Sequence, residues 1–345
     1  MAKTKFSNLL SKKQFIFVVT FFFIVLYVLH NTFFSANYYK GKSPKIFEIQ
    51  QGQSLNSIAD SLFEKGIIPN KRNFKIAAFI YGAEKKIRAA RYEIPNGLNY
   101  LKLVELLLFG KADYLKNIKI YPGSTIESVA ASLKLDAFID SSLFVETARS
   151  KSFLDSLGID AESVEGYLLP GEYLVYERSS PDELIKKFYS QFKNFMTDSL
   201  FNLRAAKNFS LHEIVTMASI VEGETKLVSE MPVIAGVYYN RLKLGMKLQA
   251  DPTVQYVLPG AWRRLNFSDL KIDSPFNTYK YYGLPPAPIN NPSRDALYAA
   301  LFPENHNYLF FVADGNGAHK FSKTYSQHLN FVKEYRKWLE SQKQN

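Results

Sequence analysis

The sequence predicts an α+β protein with one apolar N-terminal helix, a small strand-turn-helix subdomain and a larger mixed α/β domain. Three observations carry this. A charge-free run, Gln14 to Leu29, lies close to the N-terminus. A motif made of a strand end, a glycine turn and an amphipathic helix recurs before residue 134. The hydrophobic content is 47% over 345 residues, enough to bury a large core, and at ~100–200 residues per domain the length suggests two folded units.

The apolar run QFIFVVTFFFIVLYVL continues through Asn31 and Thr32 to Phe33 and Phe34, which is about what a ~30 Å hydrocarbon core requires. Lys3, Lys5, Lys12 and Lys13 precede it, and basic residues beside a first span hold that end in the cytoplasm. The expectation is a cytoplasmic tail over 1–13, a single-pass transmembrane anchor over 14–34, a polar linker over 35–44, and the bulk of the chain outside the cytoplasmic membrane. A cleaved leader is the alternative. It fits less well, because the run exceeds the ~7–15 residues of a leader core and no small-x-small site follows.

A formal charge of +11 suits anionic lipid, an anionic polymer or nucleic acid. No RNP, zinc-finger or helix-turn-helix pattern supports nucleic acid. The absence of cysteine excludes disulfides and thiol catalysis.

The recurring motif is IQQGQSLNSIADSL (49–62), repeated as IYPGSTIESVAASL (120–133) and more weakly as IPNGLNYLKLVELL (94–107). Each copy offers a glycine for the turn, a Ser, Thr or Asn to cap, and apolar residues spaced by three and four. With Gly52, Ser54, Leu55, Ile58, Ala59 and Leu62, the first copy resembles the start of a LysM-type module, a fold associated with N-acetylglucosamine-containing polymers. A LysM-like subdomain is expected over 45–115 and a second domain over 116–345. Any strand-turn-helix unit needs the same residues, so sugar binding by this module stays open.

Beyond Ala137 the pattern is helical with loops. Ser180-Pro181-Asp182-Glu183 reads as a cap box opening a helix with Leu184, Phe188, Phe192 and Met196 inward. Leu211 to Thr225 is apolar nearly all round, which implies a buried helix. Ser229 to Leu242 reads as a third helix with Val233, Ile234, Val237 and Tyr238 inward, and Asp251-Pro252 opens a short helical turn. Ser274 to Ser293 is too dense in Pro and Asn for regular structure and is expected as an ordered surface loop. Tyr308 to Ala313 and Ala318 to Ser322 predict a hairpin around Asp314-Gly315-Asn316-Gly317. A terminal helix should place Tyr325, Leu329, Val332, Tyr335 and Leu339 on one face.

Several machineries are missing from the sequence. There is no GxSxG, no P-loop and no GxGxxG, and His212-Glu213 begins an HExxT without the second histidine of a zinc site. What remains is carboxylate chemistry beside loops rich in Asn, Gln, Tyr and Pro, residues suited to sugar rings and hydroxyls. Glu222 and Glu224 end the buried helix. A glutamate in an apolar wall has its neutral form favoured and can donate a proton near neutral pH. The plain alternative is that both merely end the helix in solvent or pair with Lys226 and Arg241. Two residues apart on a helix they point ~200° from each other, so they are not expected to share one cleft.

MASIVEGET, VYYNRLKLGMKLQADPTVQY, SPFNTYKYYGLPPAPINNPS, ALFPENHNYLFFVADGNGAHKF and EGYLLPGEY together resemble the YceG/MltG family of endolytic peptidoglycan transglycosylases. The resemblance covers most of Glu165 to Phe321. It implies a catalytic domain with a lysozyme-like helical acid site and an enzyme that cuts the β-1,4 bond after N-acetylmuramic acid, leaving a 1,6-anhydro end. It calls for no cofactor or metal. It further implies glycan strands as substrate, a lipid bilayer holding the N-terminal helix, a role in ending nascent strands, and contacts with cell-wall synthases or division proteins.

Related transglycosylases show Glu followed by Ser or Thr, which matches Glu224-Thr225 and makes Glu224 the expected acid, with Glu222 the second candidate or a supporting residue. Block matching adds Gln249, Asp251, Asn277 and Tyr279 around the sugar, with Asn240 and Arg241 behind the acid. The chain departs from the family at Gly171, where many members have Asp, and at Gly223, where a polar residue is usual. Glycine costs ~1 kcal/mol against alanine inside a helix, so the helix is expected to fray or end at the glutamates. A glycan-binding scaffold without turnover and a hydrolytic muramidase remain the alternative functions.

Overall fold

The computed structural model describes residues 11–204, 208–260 and 262–342; Lys3, Lys5 and the expected tail up to residue 10 lie outside the described residues. The chain divides into two compact units, Met1–Leu115 and Lys116–Asn345.

The first unit begins with α1 (Lys12–Phe33), opened by a capping box between Ser11 and Gln14. Among the described residues it is the one helix long and apolar enough to cross a membrane. Then come β1 (Lys45–Ile49), α2 (Leu55–Glu64), α3 (Lys71–Ile80), β2 (Ala90–Ile94), α4 (Tyr100–Phe109) and β3 (Ala112–Asp113). The strands make an antiparallel sheet in the order β1-β2-β3, with Phe47 opposite Tyr92. Alternation along the strands turns Phe47, Ile49, Tyr92 and Ile94 inward, where they share a core with Ile58, Leu62, Phe74 and Leu103 of the helices. Part of the expected linker is not free chain. Asn37 bridges to Leu98, and Tyr39 is buried with its hydroxyl donating to the Ile94 carbonyl at 2.6 Å. Its ring adds apolar area while its single polar atom finds a partner, which a count of polar residues misses.

The second unit contains β4 (Leu115–Ile120), α5 (Ile126–Ala137), α6 (Ser141–Ala148), α7 (Lys151–Leu157), β5 (Gly171–Tyr176), α8 (Pro181–Phe195) and α9 (Asp198–Leu203). It continues with α10 (Leu211–Glu224), α11 (Met231–Lys243), α12 (Asp251–Val257), α13 (Arg294–Leu301), β6 (Phe310–Ala313), β7 (His319–Ser322) and α14 (Tyr325–Gln342). β4 pairs with β5, and β6 pairs antiparallel with β7. The axis of the unit is α10, buried from Ile214 through Glu222 and packed against α11, α12 and α13.

The recurring motif is one local structure built three times. Gly52, Gly97 and Gly123 adopt φ of 81°, 82° and 77°, a region open mainly to glycine. Ser54, Asn99 and Thr125 then cap α2, α4 and α5, each accepting the N–H three residues on.

Three local expectations are corrected. Pro181 does open α8, but the Ser180 side chain makes no cap bond and engages Asp182 instead. Residues 274–293 lack regular structure, as expected, but the segment is only in part a surface loop: Lys280, Tyr281, Tyr282 and Pro286 are exposed, whereas Asn277, Thr278, Ile289, Asn290 and Asn291 are buried. Asparagine carries a donor and an acceptor together, so it can satisfy backbone groups that a helix or strand would otherwise pair. On α14, Tyr325 and Leu329 are exposed, while Val332, Tyr335 and Leu339 are half-buried together with Phe331 and Trp338. Trp338 packs against the backbone of Gly315 in the hairpin turn, which sets the rotation of the helix.

Asn291 shows what buried asparagine does here. Its Oδ1 accepts the N–H groups of Gly166 and Leu168, both at 3.0 Å, and its Nδ2 donates to the Ser124 carbonyl and to Glu165, both at 2.9 Å. Three separate segments meet on one side chain. Asn291→Ala leaves both N–H groups buried without an acceptor, and urea unfolding should show a loss of roughly 2–4 kcal/mol. An unchanged midpoint would mean that water replaces the side chain.

Candidate active site

A cleft of about 980 Å³ opens where α10 ends. Gly123 and Thr125 from the turn before α5, Pro252 and Tyr256 of α12, and Asn290 contribute to its walls. Glu222 and Glu224 both line it, contrary to the expectation that ~200° of separation keeps them apart. The helix stops at Glu224, and Thr225 is already extended at φ −143° and ψ 150°. The cleft therefore crosses the helix end instead of running along one side.

The helix ends at the glutamates, as expected, but it stays helical through Gly223 to do so. A β-carbon at Gly223 would lie 2.6 Å from the Pro252 ring, so glycine is required for α12 to approach this closely. That contact outweighs the intrinsic cost of glycine in a helix.

Glu224 is partly buried, and its Oε1 accepts the Tyr238 hydroxyl at 2.5 Å. Burial pushes its carboxyl up from 4.5 to about 7; the Tyr238 hydrogen bond opposes the rise, the negative charge of Asp251 adds to it, and the Arg241 cation opposes it. Tyr238 comes from α11, fully buried and edge-on to Phe311 at 5.9 Å. Glu222 is spent differently. Its Oε2 accepts the Ser293 N–H at 3.0 Å and the Ser293 hydroxyl at 2.5 Å, and Ser293 caps α13. Its Oε1 lies 4.0 Å from the exposed Lys226 ammonium. Glu222 thus ties the end of α10 to the start of α13.

The remaining expected residues divide into two groups. Asp251 is the first residue of α12, not its cap, and its Oδ1 accepts the Tyr279 hydroxyl at 2.5 Å. Burial and the neighbouring Asp251 raise the Tyr279 hydroxyl well above its usual value. Gln249 is exposed, with φ 51°, and its N–H donates to the Thr278 carbonyl. None of the three is among the described residues that line the cleft, although the Asp251 charge acts on Glu224 and Glu224 in turn on Tyr279. Asn277, Asn240 and Arg241 instead spend their side chains on backbone carbonyls. Asn277 Nδ2 donates to Leu270 and Ile272, Asn240 Nδ2 to His306 and Tyr308, and Arg241 to Leu309 and Leu248. They hold the loops that carry the others.

Sequence reasoning missed four residues. Tyr238 was visible only as an inward position on its helix. Tyr256 and Trp262 line the cleft as aromatic faces, and Trp262 is solvent-exposed; a lone Trp in a Gly- and Arg-rich loop was the available signal. Glu165 is buried, accepts the Ile126 N–H at 3.1 Å and the Asn291 amide at 2.9 Å, and is pushed up to about 8, mainly by burial. Its signal was a carboxylate inside the apolar EGYLLPGEY.

Tyr238→Phe removes a hydrogen bond that favours the charged form, so Glu224 should titrate above its value of about 7 when followed by carboxyl NMR. A fall instead would mean the hydroxyl does not serve the carboxylate. Glu165 holds its proton in the folded chain between its ordinary 4.5 and about 8. The folded state then binds more protons in that window, so the stability Glu165 contributes is full below the window and is lost as pH rises through it. Denaturation midpoints should fall across that range, and Glu165→Gln should flatten the fall.

The sequence profile of the YceG-like family matches residues 47–334. A Bacillus subtilis (strain 168) protein named endolytic murein transglycosylase is 31% identical over 303 residues, covering 83% of each chain. A protein of the same name from Streptococcus pneumoniae serotype 2 is 27% identical over 296 residues, covering 77% of this chain, which spans about half of that relative's length (53%). The 2.6 Å crystal structure of a yceG-like protein from Listeria monocytogenes shares 29% identity at a TM-score of 0.58, covering 84% of this chain and 99% of that one. With the profile spanning residues of both units and a relative 31% identical over 83% of the chain, the chain belongs to the YceG-like family.

Proposed function

We propose that this chain is a membrane-anchored endolytic transglycosylase that cuts the β-1,4 bond between N-acetylmuramic acid and N-acetylglucosamine within peptidoglycan strands. The bond is broken without water and leaves a 1,6-anhydro end. The names of the Bacillus and Streptococcus relatives support the substrate class. The observation that carries the chemistry is Glu224, a carboxyl in the cleft raised to about 7 and therefore able to hold its proton near neutral pH.

Glu224 donates that proton to the glycosidic oxygen as the bond to C1 breaks. The resulting carboxylate takes the proton of the C6 hydroxyl of the muramic residue, whose oxygen closes on C1. One group serves as acid and then base, so no carboxylate nucleophile is required. Tyr238 orients Oε1, and Asp251, fixed by Tyr279, keeps a negative charge nearby that favours the protonated starting state. Tyr256 and Trp262 offer faces for sugar rings, while Gln249, Asp251 and Tyr279 supply polar groups to the subsites. Asn240, Arg241 and Asn277 shape those subsites through the backbone. Glu222 supports the helix end.

In this reading α1 spans the cytoplasmic membrane with its N-terminus inside, and the first unit is a LysM-like module that holds glycan. The carboxyl in an apolar wall resembles the acid of lysozyme in its tuning. Cleavage within a strand beside the membrane would end its growth, next to synthases or division proteins.

The test is to incubate the full chain in detergent with purified peptidoglycan and weigh the products. Anhydro-ended fragments are expected, lost ~10²–10⁴-fold in Glu224→Gln. Glu222→Gln should keep the same products while lowering stability. Products heavier by one water would establish a hydrolase instead, and binding without cleavage would leave a scaffold.

A further inference from the structure

The first unit is fastened directly to the end of α1. Phe33 packs on the core of the unit, Asn99 donates to the Phe34 carbonyl at 3.3 Å, and Asn37 bridges Leu98. α3 also touches α1. No slack chain separates the outer end of α1 from this unit.

α3 has a divided surface. Phe74, Ala77 and Ala78 face the core. The opposite side carries Ile76, Phe79 and Ile80, which are 38%, 73% and 62% exposed, with Arg72 and Lys75 exposed beside them. No acidic residue occurs in the helix. Tyr38, just beyond α1, is 78% exposed. An outward face of Ile, Phe and Ile bordered by cations is not what water selects for a helix whose other face already fills a core. It is the pattern of a helix lying in a headgroup layer, where aromatics settle at the interface and basic residues meet anionic lipid.

We propose that the outer face of α3, together with Tyr38, lies in the interfacial layer of an anionic bilayer and forms a second membrane contact beside α1. The proposal rests on α1 being the anchor. A helix touching α1, in a unit fixed to the end of α1, has its depth set by that anchor. The lipid surface is then the occupant continuous with the contact already there. Insertion of Phe79 and Ile80 covers the apolar side, and Arg72 and Lys75 reach lipid phosphates.

The absence of cysteine makes the test direct. Phe23→Cys, Phe79→Cys and Ile80→Cys each place one environment-sensitive fluorophore on the full chain, reconstituted in vesicles of phosphatidylethanolamine and phosphatidylglycerol. Brominated acyl chains should quench the label at 79 and 80 by about twofold or more, with blue-shifted emission, as interfacial burial requires. Replacing phosphatidylglycerol by phosphatidylcholine should weaken quenching at 79 and 80 and leave 23 unchanged. Quenching at 23 with none at 79 and 80 overturns the proposal and leaves the anchor intact. No quenching at 23 overturns the anchor, and the proposal with it.

Discussion

The second unit depends on the burial of α10. A helix enclosed from Ile214 through Glu222 cannot slide or rotate without repacking α11, α12 and α13 together. Its C-terminal end is therefore a fixed point, and the cleft is laid out from it. The end of such a helix would leave carbonyls and carboxylates in an apolar surround, an expensive arrangement unless each group is given a task. Glu222 is given one by Ser293, and Glu224 by Tyr238.

Around that point the walls are mostly loop, and they stay in place through side-chain amides. Asn291 and Asn240 each bind two or more backbone groups from distant segments, and Asn277 binds two from the turn just before it, doing what a strand ladder does in a more regular fold. Proline in the same stretches removes donors that would need partners. The result is an irregular wall many of whose polar groups are satisfied internally, and the backbone at Tyr279 and Gln249 is pinned by the same means.

Much of this was legible from residues alone. Periodicity located α10 and α11, the thrice-used glycine and cap located α2, α4 and α5, and the apolar run located α1. The interior of 274–293 was not legible, because Pro and Asn density signals irregular structure and is silent on depth. Nor was the division of labour between the two glutamates readable from a helical wheel. A wheel assumes that the helix continues, whereas here the chain turns extended at Thr225 and both carboxyls reach one space. Tyr238 and Glu165 were hidden for a related reason: an inward tyrosine and a lone buried glutamate declare a role only when the group opposite them is known.

The contact between Gly223 and Pro252 carries a meaning beyond packing. Asp251 sits beside Pro252 at the start of α12, and its charge helps hold the proton on Glu224. The spacing of these carboxylates is gauged by a missing methyl group. A neutral, featureless residue thus takes part in setting acid strength, and drift at position 223 would change the pH response of the cleft before it changed any group that carries a proton.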